Sequence, residues 1–235
     1  MSISTPPPPV RPKKKGMGCL GCGCLILALL VLLVLGLVAG ASYLGYRNVL
    51  NLTSTTPSAL PAVASTDDLY NSAKQKIADF DHDVKNHQAA TVQLSPDEIN
   101  ALIARDPTVQ KYNIRSYVSF TSDQGRVQMS LPTELLSSGI VRGRYVNLDT
   151  SFGINFDPPT RSIILNFHTL QLGDKVLMSP DAPSSSFNTS FTNAFTPAFN
   201  QSFNKGVRQN PDGAALLNQA KSIEIKDGEL VIETQ

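Results

Sequence analysis

Beyond Cys24 the chain contains no cysteine, so its large C-terminal part is not stapled by disulfides and must stand on a hydrophobic core. Charge is missing in one place as well: no Asp, Glu, Lys or Arg occurs from Gly16 to Tyr46. Residues 1–47 have no acidic residue at all. There is no G-x-S-x-G, Walker loop or H-E-x-x-H, so the common nucleophile-elbow, nucleotide and zinc-protease chemistries have no signature here. Paired carboxylates can still meet in space without one, but the expectation is a protein that is not an enzyme and carries no cofactor.

What fills the charge-free stretch is informative. Cys24 to Ala39 reads CLILALLVLLVLGLVA, apolar on every face, which amphipathic packing on a water-soluble core does not explain. A bilayer's hydrocarbon, about 30 Å thick, takes about 20 helical residues to cross. Residues 19–41 supply that length, and a helix satisfies its own backbone hydrogen bonds, as lipid demands. Arg11, Lys13, Lys14 and Lys15 precede the run and only Arg47 follows it closely. Basic flanks are retained in the cytoplasm, so the expected topology is a cytoplasmic N-terminus, one span and a C-terminal domain outside. The competing reading is a signal peptide cleaved near Ala39-Gly40-Ala41, although an h-region has about 7–15 apolar residues and this run is longer.

Charge divides along the same line. Residues 1–47 hold five of the 20 basic residues and none of the 19 acidic ones, leaving 15 basic and 19 acidic beyond. A cationic tail suits anionic lipid heads, while a mildly acidic exterior offers no phosphate-binding surface, so nucleic acid is not an expected partner. The expected partners are the bilayer itself and a lipid-like or protein partner outside the cytoplasm; the sequence leaves oligomeric state open.

Cys19, Cys22 and Cys24 interleave with Gly16, Gly18, Gly21 and Gly23 at the cytoplasmic mouth of the expected span. Three readings stay open. Small residues let membrane helices approach closely; juxtamembrane thiols are candidates for S-acylation; and C-x-x-C-x-C offers three thiolates to a metal, without a second cluster or a nearby histidine. The first is favoured, and no metal site is expected.

Residues 1–15 read as a disordered, basic, Pro-rich tail, 16–46 as the transmembrane helix, 47–65 as a Ser/Thr/Pro/Ala-rich linker lifting the domain off the membrane, and 66–235 as one α+β domain. Asn51-Leu52-Thr53 and Asn188-Thr189-Ser190 match the glycosylation pattern, which matters only in a eukaryotic host. Thr66 caps a helix to about Lys85, with Leu69, Ala73, Ile77, Phe80 and Val84 as its apolar stripe. Val92 and Leu94 suggest a short strand. Ser95-Pro96-Asp97-Glu98 is a capping box with proline at the first helical position, followed by Ile99, Leu102 and Ile103, and stopped by Asp106-Pro107.

The period then changes to two. Ile114, Val118 and Phe120, then Val127, Met129 and Leu131, flank a turn at Ser122–Gly125. Val146, Leu148, Phe152, Ile154 and Phe156 share a face, as do Ile163, Leu165 and Phe167 after the turn at Asp157–Thr160. At His168-Thr169 the phase slips, so that Leu170 and Leu172 point the other way; a bulge is the economical explanation. Asp227-Gly228 favours a two-residue hairpin turn that sets Ile225 opposite Leu230 and Ile223 opposite Ile232. Three hairpins with one polar face each predict a curved antiparallel sheet with covering helices.

Phe187, Phe191, Phe195, Phe199 and Phe203 recur every four residues, five of the ten phenylalanines. On a helix each step of four advances about 40°, so the row winds slowly round one side, with a kink at Pro197. The row either packs on the sheet or lines an apolar groove for an acyl chain or an apolar partner segment; the packing reading is favoured. His82 and His87, five apart, lie about 140° round a helix and do not share an ion easily. His82 could meet Asp79 or Asn86, but a solvated polar face is the expected meaning. His168 has no nucleophile adjacent in sequence.

Leu94, Ser95, Glu98, Ile99, Asn100, Leu102 and Ile103 match a phrase L-S/T-x-x-E/Q-apolar-N-x-L-apolar. In this the chain, loosely from residue 89 onward, resembles poorly characterised bacterial envelope proteins of the YpmS type. The resemblance implies a short basic N-terminus, one membrane helix and a β-rich exterior domain with an apolar-ligand or scaffold role. It carries over no catalytic residues, and neither the Phe row nor the Cys/Gly mouth belongs to it. The expected function is thus a membrane-anchored, non-catalytic envelope domain binding a lipid-like or other apolar partner, the alternative being a scaffold with a fully packed core.

Overall fold

The computed structural model describes residues 52–63, 66–135, 142–180 and 186–235, with only the backbone course given for 186–192. The Pro-rich tail, the charge-free run and Cys19, Cys22 and Cys24 lie outside them. Among the described residues no helix is long and apolar enough to cross a membrane.

Helix α1 spans Asp67–Lys85, with the Thr66 side chain accepting from the Leu69 N–H as N-cap. Its stripe buries Ala73, Ile77, Phe80 and Val84, while Leu69 stays half-buried. Strand β1 (Thr91–Leu94) leads into α2 (Pro96–Ala104), whose capping box is complete: Glu98 N–H donates to Ser95 Oγ at 3.2 Å and Ser95 N–H to Glu98 Oε2 at 3.0 Å. Such a box satisfies two of the orphan donors at a helix start. Asp106 ends that helix and caps the next, α3 (Pro107–Lys111), by accepting from Thr108 and Val109 N–H.

A five-stranded antiparallel meander follows: β2 (Arg115–Thr121), β3 (Gln124–Pro132), β4 (Tyr145–Asp157), β5 (Ser162–Leu172) and β6 (Lys175–Met178), neighbours in that order. Register places Val118 opposite Val127 and Met129 opposite Leu148, so the apolar alternation falls on one face. The phase slip at His168 is a bulge: Ser151 faces Thr169, yet Phe152 faces Phe167. The extra residue returns Leu170 and Leu172, which face Thr150 and Leu148, to the face that carries Leu165. All three leucines are buried, so the bulge absorbs the slip instead of turning the later leucines outward.

The C-terminal hairpin differs from the expectation of a single sheet. After α4 (Ser186–Gln209) and α5 (Pro211–Gln219) come β7 (Ala220–Lys226) and β8 (Glu229–Thr234). Their register is Ile225 to Leu230 and Ile223 to Ile232, with Asp227 at φ 54° and Gly228 at φ 80° in the turn. Positive φ at both positions is what a type I′ turn requires. The hairpin adds to β1, giving a second, three-stranded antiparallel sheet in the order β1-β8-β7. The two sheets meet where Gly125 is tightly enclosed: a Cβ there would come within 3.0 Å of both Ile225 Cδ1 and Phe152 Cζ. One continuous core joins both sheets and the faces of α1, α2, α4 and α5.

The segment read as a linker is in part docked on the domain. Ser54 and Tyr145 exchange backbone hydrogen bonds at 2.8 and 2.7 Å. Asn147 Nδ2 donates to the Thr56 carbonyl at 3.1 Å, and Ser58 N–H to Ser130 Oγ at 2.8 Å. Arg144 donates to Thr53 Oγ1 at 2.7 Å and to the Thr53 carbonyl at 2.6 Å. Residues 52–63 thus form a strap across the polar face of the meander, and ordered backbone starts well before Thr66. A segment without hydrophobic periodicity owes its order here to partners supplied by the sheet.

Candidate functional site

Helix α4 lies along β5 and presents two rows to it, each repeating every four residues. One is aromatic. Phe199 and Phe203 are buried at 6% and 5% exposure, and Phe195 is partly buried. Phe167 of β5 meets Phe199 edge-on at 5.1 Å between ring centroids and Phe195 at 5.4 Å; Phe199 and Phe203 stack at 6.3 Å. Phe152 extends the chain of rings through Phe167 at 6.3 Å. Edge and offset contacts of this kind add about 0.5–1.5 kcal/mol per pair beyond burial. The backbone at Phe187 and Phe191 continues the same helix, which runs through Pro197; their side chains lie outside what the structure describes.

The second row is polar: Asn200, Asn204 and Arg208. Strand β6 pairs only with Leu170–Leu172, which leaves the outer edge of β5 open at Ile163 and Leu165. Asparagine fills it. Ile163 N–H donates to Asn204 Oδ1 at 2.8 Å, and Asn204 Nδ2 returns a bond to the Ile163 carbonyl at 2.7 Å. Asn200 does the same to Leu165 at 2.9 and 3.1 Å. Arg208 closes the row on the carbonyls of Thr160 and Arg161 at 2.8 and 2.9 Å. A side-chain amide carries an acceptor oxygen beside a donor NH2, so each presents to the strand the N–H and C=O of one residue of a missing neighbour. Asn100 of α2 repeats the device on the outer edge of β2, pairing with Val118 at 2.7 and 2.8 Å. These amides shield two sheet edges from strand addition by another chain.

Along the open edge of β5, beside α4, an open cleft of about 640 Å³ is bordered by Ile163, Ile164, Asn200, Gln201, Lys205 and Arg208. Its floor is apolar, with Ile164 at 37% exposure, and its rim carries two cations. A second cleft, about 380 Å³, lies under the strap between Leu60, Pro61, Ile103 and Ile114.

Buried Glu98 and half-buried Asp149 are displaced carboxylates, each within its own ion pair. Burial pushes the Glu98 carboxyl up, but Lys76 Nζ at 2.8 Å, the Ser95 N–H and the Ser72 hydroxyl outweigh it and leave it below its ordinary range. Asp149 behaves alike: burial raises it, and Arg126 with Gln128 bring it down. Glu98 ties α1 to α2, and Asp149 lies on the open face of the meander. His82 Nε2 lies 3.0 Å from Asn86 Nδ2 on exposed α1, and His168 Nε2 stands over Gly153 beside the bulge. Among the described residues no group of His, Cys, Asp and Glu side chains is placed to hold a metal ion.

The asparagine row had a signal in the sequence, since residues 200, 204 and 208 share the four-residue spacing of the phenylalanines one position behind. That pattern identifies a polar stripe but not its partner, the backbone of β5.

No protein-family model matches the chain, and neither a curated protein nor a solved structure is similar to it.

Proposed function

We propose that this chain is a membrane-anchored, non-catalytic module of the cell envelope whose exterior domain acts as an interaction scaffold. The observation that carries this reading is the filled contact between α4 and the meander. Phe199 and Phe203 are spent on the core, and the strand edges at Val118 and Ile163–Leu165 are closed by asparagine. A rigid, edge-protected sheet suits a presenting platform better than a lipid carrier, which needs interior volume. The charge-free run from Gly16 to Tyr46 supplies the anchor, and the basic residues before it favour a cytoplasmic N-terminus. Buried Glu98 and half-buried Asp149 are engaged in structural ion pairs, which favours a role without chemistry.

A second reading, retention of an acyl chain with an anionic head, has one observation in its favour: the cleft with an apolar floor at Ile164 and cations at Lys205 and Arg208. Native mass spectrometry of residues 52–235 separates the two. The scaffold reading expects the mass of the bare chain, whereas one retained acyl lipid per chain overturns it. Protease treatment of intact cells tests the topology independently, with loss of the C-terminal part expected.

A further inference from the structure

The strap fixes the end at which the described chain enters the domain. Leu52 lies with its carbonyl against Gly173 in the β5–β6 turn, so the described chain enters the fold there. From Leu52 back to Tyr46, the last residue of the charge-free run, is a reach of about 20 Å at most for an extended chain. Register identifies the strand ends gathered at this point. Arg115 faces Ser130, Ser130 faces Asn147, and Leu172 faces both Leu148 and Lys175. The start of β2, the end of β3, the start of β4 and the β5–β6 turn therefore form one end of the meander.

That end differs in charge from the rest. Lys111, Arg115, Arg142 and Lys175 are exposed there, and Arg144 is also present, its guanidinium held by Thr53. Among the described residues the exposed acidic ones at this end are Glu134, which accepts from Gly143 N–H at 2.7 Å, and Asp174. At the opposite end, where Gly228 N–H reaches the Ser122 carbonyl, the charges balance: Asp123, Asp157, Asp227 and Glu229 stand against Arg161, Lys205, Arg208 and Lys226. Of the three exposed large apolar side chains among the described residues, Val176 at 51% and Tyr112 at 40% belong to the basic end, and Ile164 at 37% lies toward the other. Cations with projecting apolar and aromatic side chains are what a headgroup layer accommodates.

We propose that this basic end of the meander docks on an anionic bilayer surface, holding the domain in one orientation on the membrane that anchors it. The proposal rests on the anchored reading above, and it adds a defined contact where a free tether would allow any orientation. The opposite end, about 26 Å away along nine-residue β3, is then the end presented to partners.

The chain contains no tryptophan, so single reporters are available without background. The full chain carrying Val176→Trp or, as the far-end control, Asp123→Trp is placed in lipid nanodiscs containing brominated phosphatidylcholine, alone or mixed with brominated phosphatidylglycerol. Co-elution with the discs reads the anchor; loss of tryptophan emission reads the docking. Expected is strong quenching of Val176→Trp in the anionic discs, weaker quenching in the neutral ones, and little at Asp123→Trp in either. Added salt or the charge reversal Arg115→Glu/Arg142→Glu/Lys175→Glu should bring Val176→Trp down to the control. Equal quenching at the two positions, or quenching indifferent to headgroup charge and to salt, overturns the docking while leaving the anchor intact. A chain that elutes apart from the discs overturns the anchor and the docking with it.

Discussion

The side chain of Asn204 bonds both the N–H and the carbonyl of Ile163, at 2.8 and 2.7 Å, from a helix running beside the strand. Both residues are buried. Replacing Asn204 with alanine leaves two buried backbone groups without that partner, at about 1–3 kcal/mol each. The expected loss for Asn204→Ala is therefore about 2–6 kcal/mol in urea unfolding. Asn204→Asp should cost at least as much at neutral pH, because it buries a charge and sets a carboxylate oxygen against the Ile163 carbonyl, to which it cannot donate. A change within experimental error in either variant would mean that water substitutes freely at this edge.

The aromatic row makes a graded prediction. Phe199→Ala removes a ring that touches Phe167, Phe195 and Phe203 and should cost about 3–5 kcal/mol. Phe195→Ala, at a partly buried ring, should cost distinctly less. Equal and small costs at both positions would point to a loosely filled interface, and calorimetry of the two variants decides it.

The strap predicts a boundary. A chain beginning at Thr66 lacks the partners of Tyr145, Asn147, Ser130 and Arg144, each bond worth about 0.5–1.5 kcal/mol net. Residues 66–235 should therefore unfold at a clearly lower temperature than residues 52–235. Identical melting curves would return the strap to the status of a passive tether.

Glu98 supplies a pH dependence with a definite sign. Its folded-state pKa lies below the ordinary 4.5, so the folded state favours the ionised form. The resulting stabilisation is present above that value and is lost as pH falls through the lower folded pKa. Glu98→Gln should be less stable than the parent at neutral pH, with the gap closing as both are acidified. A gap that stays constant down to acid pH would show that the contact is steric and not ionic.

Gly213 reverses the usual helical preference. A Cβ there would collide with the Val207 carbonyl across the α4–α5 junction, and backbone has little room to yield. Gly213→Ala, which in an exposed helix interior gains about 1 kcal/mol, should here destabilise by about 1–3 kcal/mol, measured by urea unfolding.

What could be read from the sequence was local. The Thr66 and Ser95 caps, the Asp227-Gly228 turn with its Ile223–Ile232 register and the slip at His168 each depend on residues within a few positions of one another. All appear in the structure as expected. What escaped was pairing between distant groups. Nothing in Val92-Gln93-Leu94 says that its partner is Leu230-Val231-Ile232, so the hairpin pattern alone does not divide the strands into two sheets. Asn200 and Asn204 read as mediocre helix residues until β5 is seen beside them. The Ser/Thr/Pro stretch after residue 51 has the composition of a linker because its order is supplied by Tyr145, Asn147 and Ser130, not by its own side chains.

The three-stranded sheet also constrains when the protein can mature. Ala90 and Thr234, which hydrogen-bond at its margin, are 144 residues apart. The ribosome must therefore synthesise almost the whole domain before β1 gains its neighbour. Until β8 emerges, the backbone edge of Thr91–Leu94 lacks its strand partner in the nascent chain, and a holdase engaging that edge would be displaced as the closing hairpin arrives.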